Sequence, residues 1–99
     1  MDYKDYFDKK TNPVNQEVQK MIEGEVLYLM GWREDWVSGL DVDIKFCIKD
    51  DKFFVEQEQF NRPSDKQYFD KPEDAITWFT YFATHCDSYD KSGNCTELY

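Results

Sequence analysis

Between Leu40 and Phe60 the chain alternates with period two, and this alternation restricts the fold more than any other feature. Leu40, Val42, Ile44, Phe46 and Ile48 are interleaved with Asp41, Asp43, Lys45, Cys47 and Lys49, so a strand here has one apolar and one polar face. Asp50-Asp51 supplies a turn, and Phe53 to Phe60 supplies the return strand. A tight connection sets Ile48 against Phe53, Phe46 against Val55 and Lys45 against Glu56. Two apolar pairs then share one face while an opposite-charge pair lies on the other. Asn61-Arg62-Pro63-Ser64-Asp65 is loop chemistry, and Gln67-Tyr68-Phe69 offers a short third strand.

The apolar face of such a hairpin needs a cover, and the flanking segments read as helices. Asn12-Pro13 is a cap residue followed by a proline at the first helical position, where the missing N–H is not needed. Val14, Val18, Met21, Ile22, Leu29, Trp32 and Trp36 then fall on one side of a helical wheel. Gly24 and Gly31 interrupt that pattern, each costing about 1 kcal/mol inside a helix. Two readings follow: a helix running to Trp36, which the wheel favours, or a helix ending near Gly24 and a strand through Val26-Leu27-Tyr28-Leu29-Met30. Asp70-Lys71-Pro72-Glu73 starts a second helix with a capping acid and an early proline. Its apolar stripe is Ala75, Phe79, Phe82, Ala83 and Cys86, with Ile76 and Trp78 at the edges.

These elements give an α+β domain: a small antiparallel sheet, a hairpin with the third strand at its side, packed against two helices on one face. The other face is left open. At 99 residues the chain makes one domain, residues 1–99, because this length buries only about two-thirds of its extended surface. Eight Phe, seven Tyr and three Trp supply an aromatic core, which separates the chain from disordered sequences of similar polarity. The ends, 1–11 and 87–99, are read as flexible, the second unless Leu98 and Tyr99 dock back. The exposed sheet leaves the oligomeric state open, with a dimer through that face or edge as one outcome. No basic stretch precedes an apolar run, and no segment approaches the roughly 18 apolar residues of a membrane span. A soluble, cytoplasmic protein is expected. Cys47, Cys86 and Cys95 have no framework spacing and read as free thiols, with a Cys86–Cys95 disulfide expected only in an oxidising setting.

Charge directs the functional reading. Twenty-one acidic residues against twelve basic ones give a formal net charge of −9, which repels phosphate backbones and attracts basic proteins. Direct nucleic-acid binding is disfavoured further by the scattering of the basic residues, which form no stripe with aromatic rings. On the outward side of the hairpin, Asp41 and Asp43 face the side that also carries Glu56 and Glu58, and Asp43 falls near Glu58. Like charges this close invite a cation from a partner. Asp41, Asp43, Glu56 and Glu58, with Asp50 and Asp51 at the tip, form the expected partner-binding patch, weighed against an ordinary solvated surface. A hard metal ion held by the same oxygens is the lesser reading.

Catalytic and cofactor chemistry has little to rest on. His85-Cys86 with Cys95 lacks the paired spacing and fourth ligand of a zinc site, and Cys86 lies on the apolar stripe. Glu34/Asp35 and Glu73/Asp74 are adjacent acids of the kind any acidic chain contains, and acid catalysis needs a carboxyl held in an apolar cleft. The sequence contains no phosphate-binding loop, nucleophile elbow or HExxH. No enzyme, cofactor or metal is expected.

In size, charge and composition the chain resembles the small acidic inhibitors that phages and other mobile elements direct against host nucleases and other nucleic-acid-binding defence proteins, of the anti-CRISPR or anti-restriction type. No motif carries the resemblance, so no family residue is transferred. What it implies is a non-enzymatic inhibitor that occludes a basic, nucleic-acid-binding surface with carboxylates spaced somewhat like phosphates, a DNA mimic. An immunity protein that neutralises a cognate toxin uses the same logic and is the alternative. A small enzyme is the third and weakest reading.

Overall fold

The computed structural model describes residues 13–35 and 37–99. Their order is α1 (Pro13–Ile22), β1 (Val26–Glu34), β2 (Asp41–Lys49), β3 (Lys52–Gln59), β4 (Asp65–Phe69), α2 (Pro72–Phe82), β5 (His85–Asp90) and β6 (Cys95–Glu97). The strands form one antiparallel sheet in the order β4-β3-β2-β1-β5-β6. Strands β1 to β4 are a meander, and α2 then carries the chain back so that β5 pairs with the free side of β1. The α+β class holds, with a sheet of six strands where a hairpin and a third strand were expected.

The β2–β3 hairpin has the register that the alternation implies: Ile48 opposite Phe53, Phe46 opposite Val55, Lys45 opposite Glu56. Its two-residue loop places both Asp50 (φ 54°) and Asp51 (φ 61°) in the left-handed region. That is the signature of a type I′ turn, whose twist matches the flanking strands and which aspartate tolerates better than most side chains. The expected third strand is β4, paired with β3 from Phe69 opposite Phe53 to Asp65 opposite Gln57.

The long first helix is overturned. Helix α1 begins at Pro13 as expected, although Asn12 and residues 1–11 lie outside the described residues. It stops at Ile22, where Gly24 (φ 84°) closes a Schellman cap: the Gly24 N–H donates to Met21 O at 3.1 Å and the Glu25 N–H to Lys20 O at 2.9 Å. The chain then extends as β1. Gly31, which spoke against a helix, sits at the centre of that strand because nothing larger fits there. A Cβ on it would lie 2.7 Å from the Ala83 Cβ and 3.0 Å from the Phe79 ring. The bare backbone lets α2 settle on the sheet.

Both helices pack on the same face of the sheet. From α1 come Val14, Val18 and Met21 at helical spacing, and from α2 come Ala75, Ile76 and Phe79, with Ala83 just past its end. The strands contribute Val26, Leu29, Val42, Ile44, Phe46, Val55 and Cys86. Phe46 meets Phe79 edge-to-face at 5.5 Å, and complete burial of each such side chain is worth about 1.5–3 kcal/mol. Phe53, Phe69, Trp78, Phe82 and Leu98 pack around this core half-buried, whereas Ile48, expected inside, is 38 % exposed at the sheet margin.

Three further expectations are corrected. Helix α2 is preceded by Lys71, without a side-chain cap, so Asp70 does not cap it; that aspartate pairs with Lys52 at 3.4 Å instead. Cys86 is buried, but on β5 and not on the helix stripe. The segment 87–99, expected to be flexible, forms most of β5 and all of β6. Asp90 organises their turn by accepting from the Ser92 and Asn94 N–H groups at 2.9 Å each, with Gly93 at φ 84°. Tyr99 docks back, its hydroxyl donating to Ala83 O at 3.4 Å.

Candidate protein-binding face

Residues directly opposite one another in an antiparallel sheet lie on the same face, so the register reads out the surface opposite the helices. No described helix covers it. Three rows of side chains cross it, the middle one being Lys66, Glu56, Lys45, Met30, Asp87 and Glu97, with one row on either side of it. One outer row runs Glu58, Asp43, Trp32, His85 over β3, β2, β1 and β5. The other runs Tyr68, Phe54, Cys47, Tyr28, Tyr89, Cys95 over all six strands. Trp32 stacks on His85 at 4.1 Å with the rings 14° from parallel, and Tyr28 stacks on Tyr89 at 4.8 Å. Trp32 therefore lies outside the core stripe on which the sequence placed it; Trp36 is outside the described residues.

Charge divides this face along the strands. At the end where β1 finishes and β2 begins, Asp43 faces Glu58 and Glu34 faces Asp41, two like-charged pairs in direct register, all four exposed. Directly opposed side chains lie within about 4.5–5.5 Å at Cα, where like charges are destabilising. Among the described residues none of the four has an ion pair with a base, although Arg62 lines the same shallow depression as Asp41, Asp43 and Glu58, next to the exposed ring of Phe60.

Toward the β2–β3 turn the arrangement is compensated. Glu56 is opposite Lys45 and pairs with Lys66 at 3.8 Å. The Lys45 Nζ lies 4.9 Å from the Tyr28 ring centre and the Lys49 Nζ 5.1 Å from that of Phe54, both within cation–π range. Phe54 is buried although it is on the open face, between Tyr68 at 4.9 Å and the Lys49 stem.

The structure thus sorts the six sequence-derived site residues into groups. Asp41, Asp43 and Glu58 come together, joined by Glu34. Glu56 lies between two lysines. Asp50 and Asp51 are at the opposite end of the hairpin, beyond the facing pair Lys49 and Lys52. The β1 contribution, Tyr28, Trp32 and Glu34, was not foreseen. Its signal was the alternative strand reading of Val26 to Met30, which places Tyr28 on one face and Leu29 on the other.

Next to the acidic end, Asp35 holds the β1–β2 connection. Its carboxylate accepts from the Gln59 amide at 2.9 Å, the Ser38 hydroxyl at 2.8 Å and the Val37 N–H at 3.3 Å. Those bonds, Gln59 first, lower its pKa from 3.8 to about 2. The thiols differ by location. Burial pushes Cys86 up to about 12 and also raises Cys47, the two being on opposite faces of the sheet. Cys86 faces the helices and Cys95 is exposed on the open face; both are free. Among the described residues no group of three His, Cys, Asp or Glu side chains is arranged to hold a metal ion, and no helix is long and apolar enough to cross a membrane.

Searches against protein-family models, curated proteins and solved structures found no match to this chain.

Proposed function

We propose that this chain is a non-enzymatic binding protein whose open sheet face receives a basic surface of a target protein, in particular a nucleic-acid-binding surface such as that of a nuclease. The observation that carries the reading is the direct opposition of Asp43 with Glu58 and of Glu34 with Asp41. A fold gains nothing from two adjacent like-charged pairs, and a partner's Arg or Lys would relieve both. Trp32, Tyr28 and Tyr89 alongside supply the other half of a protein interface, large rings beside a charged rim. The carboxylates are exposed on an open surface and not held in an apolar cleft, which favours recognition over acid–base catalysis.

The role fits a mobile-element inhibitor of host defence and, as the alternative, an immunity protein; the neighbouring gene, a phage early function or a cognate toxin, separates them. The test is capture from the native host with immobilised protein. The wild-type chain should retain a basic nucleic-acid-binding protein that salt releases, and the Asp43→Lys, Glu58→Lys double variant should lose it by several kcal/mol of affinity, since contacts among like charges replace attraction. Equal retention by the folded double variant would remove this patch from the interface.

A further inference from the structure

A second feature lies on the helical side of the molecule, away from the acidic pairs. Asp74, Thr77, Trp78, Tyr81 and Phe82 recur along α2 at three- and four-residue spacing, forming a stripe beside the buried one. With Phe69 of β4 they line a concavity. Its rings stand at steep angles to one another: Trp78 to Phe82 at 4.8 Å and 54°, Tyr81 to Phe82 at 4.9 Å and 82°, Phe69 to Trp78 at 6.3 Å and 50°. Tyr81 is 80 % exposed and Trp78 half-buried, so ring faces and edges are open to solvent.

We infer that this concavity binds a guanidinium group, an arginine side chain of a partner protein, with Asp74 as its counter-ion. Three observations select that occupant. First, the cluster already receives one guanidinium from within the chain: Arg33 Cζ lies 5.8 Å from the Phe82 ring centre. Second, the chain covers the Tyr28 and Phe54 rings of the open sheet face with its own Lys45 and Lys49, whereas no described cation lies over Trp78 or Tyr81. Third, Asp74 has no ion pair among the described residues, and a chain of net charge −9 draws cations toward such a site. Arginine fits better than lysine because its planar, weakly hydrated group stacks on indole and phenol faces while donating two parallel hydrogen bonds to a carboxylate.

The probe is acetyl-arginine amide, titrated at constant ionic strength against the indole N–H resonance of Trp78, which is assigned with Trp78→Phe. Acetyl-citrulline amide, neutral and of the same shape, is the control. The arginine probe should give a saturable shift and citrulline a much smaller one. Tyr81→Ser, at an exposed position that leaves the fold intact, should weaken the arginine response about two- to fivefold, the size of one exposed cation–π contact, and Asp74→Asn should weaken it comparably. Equal responses to arginine and citrulline, no response to either, or an unchanged response in both variants would each overturn the assignment. The charge-reversed Asp43→Lys, Glu58→Lys chain should respond as wild type, so failure here and failure of the acidic interface are read separately.

Discussion

The two faces of the sheet are built from alternate residues of the same strands, yet opposite rules govern them. Facing the helices, Ile44, Phe46, Val55 and Leu29 are fully buried against side chains such as Phe79 of α2, and even a missing Cβ at Gly31 is used for packing. On the open face the same strands present stacked aromatic rings, lysines laid over rings, and at one end carboxylates in register with carboxylates. The difference separates what the fold needs from what it only tolerates. Residues of the inner face are determined by packing, so their chemistry says nothing about function; those of the acidic end are unfavourable to the fold and call for another explanation.

The strongest way to break the comparison is through the inner face. Phe79→Ala removes a side chain that touches Phe46 and closes over Gly31, and should cost about 3–5 kcal/mol in chemical denaturation, enough to unfold a marginal domain. A loss under about 1 kcal/mol would mean that the helix does not seal this face. Gly31→Ala tests the same contact from the strand side. The new methyl group meets Ala83 and Phe79, and the overpacking should cost about 1–3 kcal/mol. Combining it with Ala83→Gly should recover part of the loss, because the two sites share one contact.

How far this division could be read in advance differs along the chain. The register of the β2–β3 hairpin was legible because its alternation is unbroken and its turn has two residues, although Leu40 and Phe60, expected at the strand ends, lie just outside Asp41–Lys49 and Lys52–Gln59. The β1 strand is only the second reading of its segment, a strand through Val26–Met30 after a helix ending near Gly24, because Leu29 and Trp32 happen to continue the helical spacing of Val18, Met21 and Ile22. The glycines held the answer: Gly24 is the helix cap, and Gly31 marks a close approach by another element that no local pattern reveals. Strands β5 and β6 were illegible because the inward positions of β5 are Cys86 and Ser88, small and weakly apolar, with Ser88 held by a 2.9 Å hydrogen bond to Glu17 of α1, and the β6 residue in register with Ser88 is Thr96, polar and exposed. The Asp43–Glu58 pairing follows from the hairpin alone, but its neighbours Glu34 and Trp32 lie on β1 beyond Met30, where the alternative strand reading stops.

The open face should respond to charge with small effects whose sign depends on which end is changed. Asp43→Lys with Glu58 left in place converts a like-charged pair into an opposite one and should stabilise the fold by about 0.2–1 kcal/mol. Lys45→Glu, in the compensated region opposite Glu56, should destabilise it by a similar amount. Denaturant midpoints measured at low and at high salt should converge, since screening weakens both effects. If both substitutions shift stability in the same direction, the two ends are not electrostatically distinct and the case for a partner at the acidic end loses its footing.

The smallest effect is one of slope, and it concerns the single acid at that end whose negative charge the fold favours. Asp35 is bound by Gln59, Ser38 and the Val37 N–H, and its pKa is about 2 where 3.8 is usual. Since the folded value lies below the unfolded one, its contribution is fully present above about pH 4 and is lost as the pH falls through about 2. Asp35→Asn removes that proton linkage, so its stability should fall less steeply than that of wild type between those limits, from a lower starting level at neutral pH. Asn keeps the shape and one acceptor oxygen, which separates loss of charge from loss of the turn. Urea midpoints at half-unit steps from pH 2 to 7 read the difference directly. Parallel curves for the two proteins would show that the bonds to Asp35 do not prefer its charged form, and the acidic end would then hold no carboxylate whose charge serves the fold.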